Sequence, residues 1–329
     1  MTKLEATIQR NAERNAALGL NNVTDLNLAI SSGRIRQIMD EAERIQNEDL
    51  YQIAQQLVNK PDLKIVLLAG PSSSGKTSTI NRLSMHLIKL GKMPVILSMD
   101  NWFVNRDQTP LDENGEKDFE SLYAVDLEQL GKDMRGLFAG YEVSMPTYNF
   151  STGKREYQGR MIQLRPENVV IMEGIHALNP ILHQEVPADK KHLIYASALT
   201  TLRIDDETRI STSENRLIRR LCRDYTTRGV SGESTLLRWQ SVRRGEEKWI
   251  FPFQENADVF FNTTLIYELA ALQPKAVHIL QEVPFNSPAR PEADRLLHFL
   301  SFFSPISNLD IPTDSILREF VGGSVFDVY

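Results

Sequence analysis

The chain has 329 residues, 41% of them hydrophobic and 24% charged, which suits a folded core and excludes general disorder. With 37 Lys and Arg against 43 Asp and Glu the net charge is -6, which argues against a protein that coats nucleic acid. One cysteine excludes an internal disulfide framework, no apolar run reaches the ~20 residues that cross a bilayer, and the start MTKLEATIQRNAERN has no apolar signal segment. A soluble, cytoplasmic protein is expected.

In chain order, the segment around NNVTDLNLAISSG reads as loop and turn. Residues 34–58 then carry Ile35, Ile38, Met39, Ala42, Ile45 and Leu50 at near-helical intervals, followed by Tyr51, Ile53, Ala54 and Leu57, which predicts one long amphipathic helix or two shorter ones. Asn59-Lys60-Pro61-Asp62 breaks that pattern, because proline disfavours helical geometry in the residue before it. Beyond it, residues 64–69 and 94–97 read as buried strands, separated by a helix whose face is Ile80, Leu83, Leu87 and Leu90. A helix follows from about Asp126, with Leu127, Leu130, Met134 and Leu137 inward, then two short strands within 142–146 and 156–164 around a turn at 151–154. Residues 169–172, 192–196 and 259–261 read as further buried strands, and the tail from about Asn286 as an appendage packed on the core. Strands alternating with helices predict an α/β fold with a mostly parallel sheet.

Gly70-Pro71-Ser72-Ser73-Ser74-Gly75-Lys76-Thr77 fits GxxxxGK(S/T), with a buried strand before it and a helix after. Glycines let the backbone turn its N–H groups inward as a phosphate nest at a helix N-terminus. Lys76 supplies charge to the outer phosphates, and the Thr77 hydroxyl can ligate Mg²⁺. A nucleoside triphosphate site is expected here, on Gly70, Ser72, Ser73, Ser74, Gly75, Lys76, Thr77 and Ser78.

Asp100 directly follows the strand at 94–97, at the strand end where α/β sheets bind ligands. There it suits a base for an attacking hydroxyl, and equally a capping or turn-forming Asp. Glu173 ends the strand at 169–172 and is a second metal-holding candidate beside Thr77. Arg216, Arg219, Arg220 and Arg223 recur at helical intervals, with Ser213 as the expected N-cap, and like charges so spaced repel unless an anion compensates. Triphosphate would do so; a basic face paired with Asp224 and neighbouring acids is the other reading. Arg243, Arg244 and Lys248 form a second patch whose role stays open.

Together the phosphate loop, SMDNWF, DFESLYAVDLEQL, MPTYNFSTGKRE, VVIMEGIHAL and RLIRRLCRDYTTRG stand in the order seen in the uridine kinase and phosphoribulokinase family. The chain resembles bacterial uridine (nucleoside) kinases most, firmly over residues 63–283. That resemblance implies a P-loop NTPase-type sheet flanked by helices, and ATP- and Mg²⁺-dependent phosphorylation of a primary hydroxyl, the 5′-OH of a nucleoside. It puts Asp100 on the catalytic base, Phe119, Glu120 and Tyr148 on the nucleoside-holding residues, and Arg220, Arg223 and Arg228 on phosphate-contacting residues of a mobile lid. The chain departs from the animal-type pattern at Phe103 (usually Tyr), Gly153 (usually a pyrimidine-contacting His) and Val230 (usually Arg), and Glu120 stands where Asp is usual.

The expected organisation is a helical extension over 1–60, a kinase domain over 61–285 with its lid at about 211–250, and an appendage over 286–329. Uridine and cytidine are the first acceptor candidates; a sugar, sugar phosphate or other nucleoside is the alternative, and an ATP-binding or RNA-binding module without turnover a third. No nucleic acid or membrane partner is expected, and the resemblance allows a homo-oligomer. Cys222, between Arg220 and Arg223, is expected to report on lid closure by alkylation, with ATP protecting it.

Overall fold

The structure, a computed structural model, describes residues 1–184, 186–205 and 207–326. Three helices come first, α1 (Lys3–Ala17), α2 (Val23–Ser31) and α3 (Ile35–Val58), the last being one unbroken helix. The stretch read as loop is therefore α2. Its turn-forming residues are the cap: Asn22 accepts from the Asp25 amide at 3.1 Å and Asp25 answers to the Asn22 amide at 3.4 Å. Val23, Leu26 and Ala29 behind that cap are buried.

Next come β1 (Ile65–Ala69), α4 (Lys76–Lys89), β2 (Met93–Ser98) and α5 (Leu127–Phe138). The short strands β3 (Val143–Ser144), β4 (Thr147–Asn149), β5 (Lys154–Glu156) and β6 (Met161–Ile162) pair antiparallel, β4 with β5 and β3 with β6, around the turn the sequence places at 151–154. Then come β7 (Asn168–Glu173), α6 (Pro180–His183), β8 (Lys191–Ser197), α7 (Thr212–Arg228), α8 (Gly232–Trp249), β9 (Val259–Asn262), α9 (Glu268–Gln281), α10 (Arg290–Leu300) and α11 (Arg318–Val321).

The main sheet is parallel throughout, in the order β2-β7-β1-β8-β9. Side chains alternate between its faces. Val66, Leu68, Ile171 and Ile194 join the large core with α3, α4, α7 and α9, whereas Ile65, Leu67, Met172 and Leu193 face the smaller core under α5. Among the described residues no helix is long and apolar enough to cross a membrane.

The tail packs into the large core. Ile316, Leu317 and Phe320 are fully buried in the large core, and Phe320 lies under the Arg219 guanidinium at 4.8 Å. Phe320→Ala should therefore lower stability by about 3–5 kcal/mol, read as a urea midpoint shift at constant m; a loss under about 1 kcal/mol would mark the tail as loosely attached.

Candidate active site

The phosphate loop is shaped by what its neighbours forbid. A Cβ on Gly70 would meet the Ala196 carbonyl and lie 2.6 Å from Ser74 Oγ, so no side chain fits there. Ser73, at φ 59°, is the one non-glycine with positive φ among the described residues, and Gly75 follows at φ 80°. Gly75 is the N-cap of α4 and provides no side-chain cap, which leaves the first helical N–H groups open to an anion. Ser73 Oγ and Ser74 Oγ are buried with no protein partner among the described residues, so the loop interior holds hydroxyls suited to phosphate oxygens. Lys76 Nζ donates to the carbonyls of Gly70 at 3.0 Å and Pro71 at 3.3 Å. Ser72 Oγ accepts from Arg220 at 2.9 Å, while Ser78 turns its hydroxyl away from the loop, donating to Glu319 at 2.9 Å.

Three acids gather opposite Lys76 because β2, β7 and the loop after β2 end side by side. Asp100 is half-buried, and burial raises its pKa against the pull of Lys76, Arg228 and Arg223. Glu173 is buried, accepts from Ser98 Oγ at 2.7 Å, and is pushed up to about 7, mainly by burial, with Lys76 opposing and Asp100 adding to the rise. Glu120 also reaches about 7 by burial, with Arg220 as the main opposing cation. The Thr77 hydroxyl and the Glu173 carboxylate are hard oxygen donors that fit Mg²⁺, which shares its coordination with phosphates and needs only one or two protein ligands. Among the described residues no group of three or more His, Cys, Asp or Glu could hold a metal ion by itself.

α7 carries the arginine cluster, and the helix divides it. Ser211, rather than Ser213, is the N-cap, accepting from the Glu214 amide at 3.0 Å. Arg216 is fully buried on Glu246 and donates from Nε to the Ser72 carbonyl at 3.0 Å. Arg219 is fully buried on Glu268 at 2.6 Å. That half of α7 is packed against the loop and the core through these pairs. Farther along, Arg220, Arg223 and Arg228 share Asp224, at 3.2, 2.8 and 3.5 Å, and together they pull its carboxyl below the usual range. Cys222 points the other way, into the large core, where burial pushes its thiol up to about 12. It is a packing residue and cannot serve as the alkylation probe the sequence suggested.

Beyond Asp100, Tyr148 is buried and its ring meets Phe103 at 5.5 Å and Phe150 at 5.2 Å, both edge-on, forming an aromatic wall. Asn101, next to Asp100, accepts from the Tyr148 amide at 3.2 Å and so fixes the wall relative to the acid. Arg228 lies over Phe150 at 5.4 Å. Phe119 stays outside this wall, 44% exposed.

Several residues beyond the sequence expectations belong to the site. Glu246 accepts from the Ser72 amide at 3.2 Å and braces the loop through Arg216. Gly245 packs on Glu120, with the Glu120 Cγ 2.8 Å from where a Cβ would stand. Arg106 covers Gly153, its guanidinium carbon 2.8 Å from a Cβ there, and hydrogen-bonds Tyr148, whose phenol it draws down against burial. Nothing local in the sequence pointed to Glu246 or Arg106 as parts of the site. Arg243 is tied to Glu246 and Glu247, and Arg244 lies near Asp112, so the second basic patch is largely paired. His176 is buried and pushed down to about 4, hence neutral.

A uridine kinase of Staphylococcus aureus (strain JH9) is 30% identical over 197 residues, 59% of this chain and 85% of that protein. Among solved structures, a putative fructose transport system kinase from Silicibacter sp. TM1040 overlays with a TM-score of 0.46 at 19% identity, covering 64% of this chain and 98% of that one. A possible uridine kinase from Bacillus stearothermophilus overlays at 0.41 with 20% identity, covering 61% and 89%. The description of the phosphoribulokinase / uridine kinase family matches residues 65–268, more than half of the chain and all of the site elements from β1 to the start of α9. With a phosphate loop at the end of β1, carboxylates at the ends of β2 and β7, and that match, the chain belongs to the phosphoribulokinase / uridine kinase family of phosphotransferases.

Proposed function

We propose that the protein transfers the γ-phosphate of ATP to the 5′-hydroxyl of a nucleoside, uridine first. The observation that carries this reading is the convergence on Asp100: one carboxylate lies within the field of Lys76, Arg223 and Arg228 and is tied through Asn101 to the Tyr148 wall. A hydroxyl between wall and phosphate loop would meet Asp100 on one side and the transferring phosphoryl group on the other.

In this mechanism the loop amides and Lys76 hold the triphosphate, with Arg220 beside Ser72. Thr77 and Glu173 are the residues that would hold Mg²⁺, which when bound neutralises charge on the phosphate oxygens. Asp100 orients the acceptor hydroxyl and takes its proton. Arg220, Arg223 and Arg228 stabilise the charge that develops on the transferring group, exchanging Asp224 for phosphate oxygens. Tyr148 stacks against the acceptor's flat part, with Glu120 as its hydrogen-bonding acid.

A second reading has one observation in its favour. Arg106 has no carboxylate partner within ion-pair distance among the described residues and bonds Tyr148 instead, so the acceptor cleft contains a donor-only cation. An acceptor bearing its own anion, such as a sugar phosphate, would use it.

A coupled ADP-release assay across uridine, cytidine, sugars and sugar phosphates separates the two. Uridine-dependent release is expected; turnover with sugar phosphates alone would replace the first reading by the second. Asp100→Asn should lower kcat by about 10²- to 10⁴-fold while a fluorescent ATP analogue binds as before. Near-normal turnover would remove Asp100 from the mechanism.

The raised acids also set a pH dependence. Glu173 and Glu120, ordinarily at 4.5, hold their protons up to about 7 in the folded chain. The folded state then binds more protons than the unfolded one between those values, so their contribution is present below 4.5 and lost as pH rises through about 7. Glu173→Gln is neutral throughout, and the unliganded variant should gain stability relative to the parent on going from pH 5 to pH 8 in urea titrations. Parallel curves for the two proteins would contradict the burial argument.

A further inference from the structure

A cavity opens at the end of the sheet opposite the phosphate loop and runs along the sheet face to Met99 and Met172. It encloses about 730 Å³ between α5, α6 and the face of β1 and β7 that belongs to the smaller core. Its floor is apolar: Ile65, Leu67, Leu130, Leu137 and Met172 line it, all buried. Its mouth is cationic. Lys64, Arg135, Arg165 and Lys190 line it, and each is exposed, where the strands begin. None of the four forms an ion pair with a described carboxylate, and no Asp or Glu lines the cavity among the described residues.

An apolar chamber of this size, with charge of one sign gathered at its opening, matches a ligand with an apolar body and an anionic head. A nucleotide suits it less well, since Asn168 and His183 are the uncharged polar side chains that line it among the described residues, beside a larger apolar surface. We propose that this cavity binds a free single-chain aliphatic carboxylate, its chain along the sheet and its head among Lys64, Arg135, Arg165 and Lys190. The inner end gives such a ligand a route to the catalytic acids. Met99 and Met172 both line the cavity, and they are the chain neighbours of Asp100 and Glu173. Met99 also packs on Gly174, its sulfur 2.6 Å from where a Cβ would stand, so the cavity's inner end touches the residue after Glu173.

The test is direct binding, independent of any kinase assay. Octanoate, decanoate and dodecanoate, each kept monomeric, are titrated into the full chain by calorimetry. One site is expected, tightening by about fourfold per added methylene, the equivalent of about 0.8 kcal/mol per buried CH₂. Dodecanol should bind at least about tenfold more weakly than dodecanoate, and so should dodecanoate to the double variant Arg135→Glu/Arg165→Glu, whose fold is checked by its thermal melt. Met134→Trp, which fills the chamber from α5, should weaken dodecanoate without changing the mouth charge. Absence of a one-to-one site, or equal affinity of the parent and the charge-reversed variant, overturns the proposal. Binding to anionic phospholipid vesicles without binding of monomeric dodecanoate also overturns it and assigns the cationic mouth to a membrane surface instead.

Discussion

The site depends on how two carbonyls of the phosphate loop are held from behind. Arg216 donates to the Ser72 carbonyl at 3.0 Å and Arg219 to the Ser73 carbonyl at 3.5 Å. Because the trans peptide unit is planar, its C=O and N–H point in opposite directions. Fixing the Ser72 oxygen outward aims the Ser73 amide inward, and fixing the Ser73 oxygen aims the Ser74 amide likewise. Each guanidinium is itself held by a buried carboxylate, Glu246 for Arg216 and Glu268 for Arg219. Buried ion pairs are often no more stabilising than apolar residues of the same volume, and here their visible effect is to hold both guanidinium groups against the loop carbonyls. The strained φ of 59° at Ser73 persists because these contacts over-determine it.

The same helix performs two tasks that a sequence reader sees as one. Its arginines at 216 and 219 face the core, and those at 220, 223 and 228 face the acids of the site. The second group would repel itself, yet Asp224 lies within 3.5 Å of all three. An internal counter-ion of this kind keeps the cations clustered before a ligand arrives and can be exchanged for phosphate oxygens.

The parallel sheet, the phosphate loop and the strand-end acids were legible in the sequence because each has a local signature: an apolar run, a glycine spacing, a carboxylate just beyond a strand. Family order among the motifs then made a phosphotransferase readable before any geometry. Other features were not legible, for reasons that are physical. Asn22 and Asp25 look like turn residues, and they are, but here the turn caps a helix. Arg216 and Arg220 are four apart and share a chemistry, and only tertiary packing distinguishes a structural cation from a site cation. Arg106 and Gly153 lie far apart in the chain, so the filling of the glycine's space by a guanidinium has no local signal. Cys222 shows the same limit, since its neighbours in sequence are basic while its neighbours in space are apolar.

Residues outside the family match complete the loop's support. From the head, Glu43 on α3 reaches Arg82 of α4 at 3.3 Å and accepts from the Tyr267 hydroxyl at 2.9 Å, and Gln46 accepts from Arg82 at 2.9 Å. From the tail, Glu319 accepts from Ser78 at 2.9 Å, and Ile316 lies 2.7 Å from where a Cβ on Gly75 would stand. α4 begins at Lys76, so its N-terminal amides and the lysine are held between a brace from residues before β1 and one from residues after α10. A helix so clamped cannot tilt toward a bound phosphate without disturbing both ends of the chain. The position of the α4 amides and of Lys76 therefore rests on contacts from both head and tail.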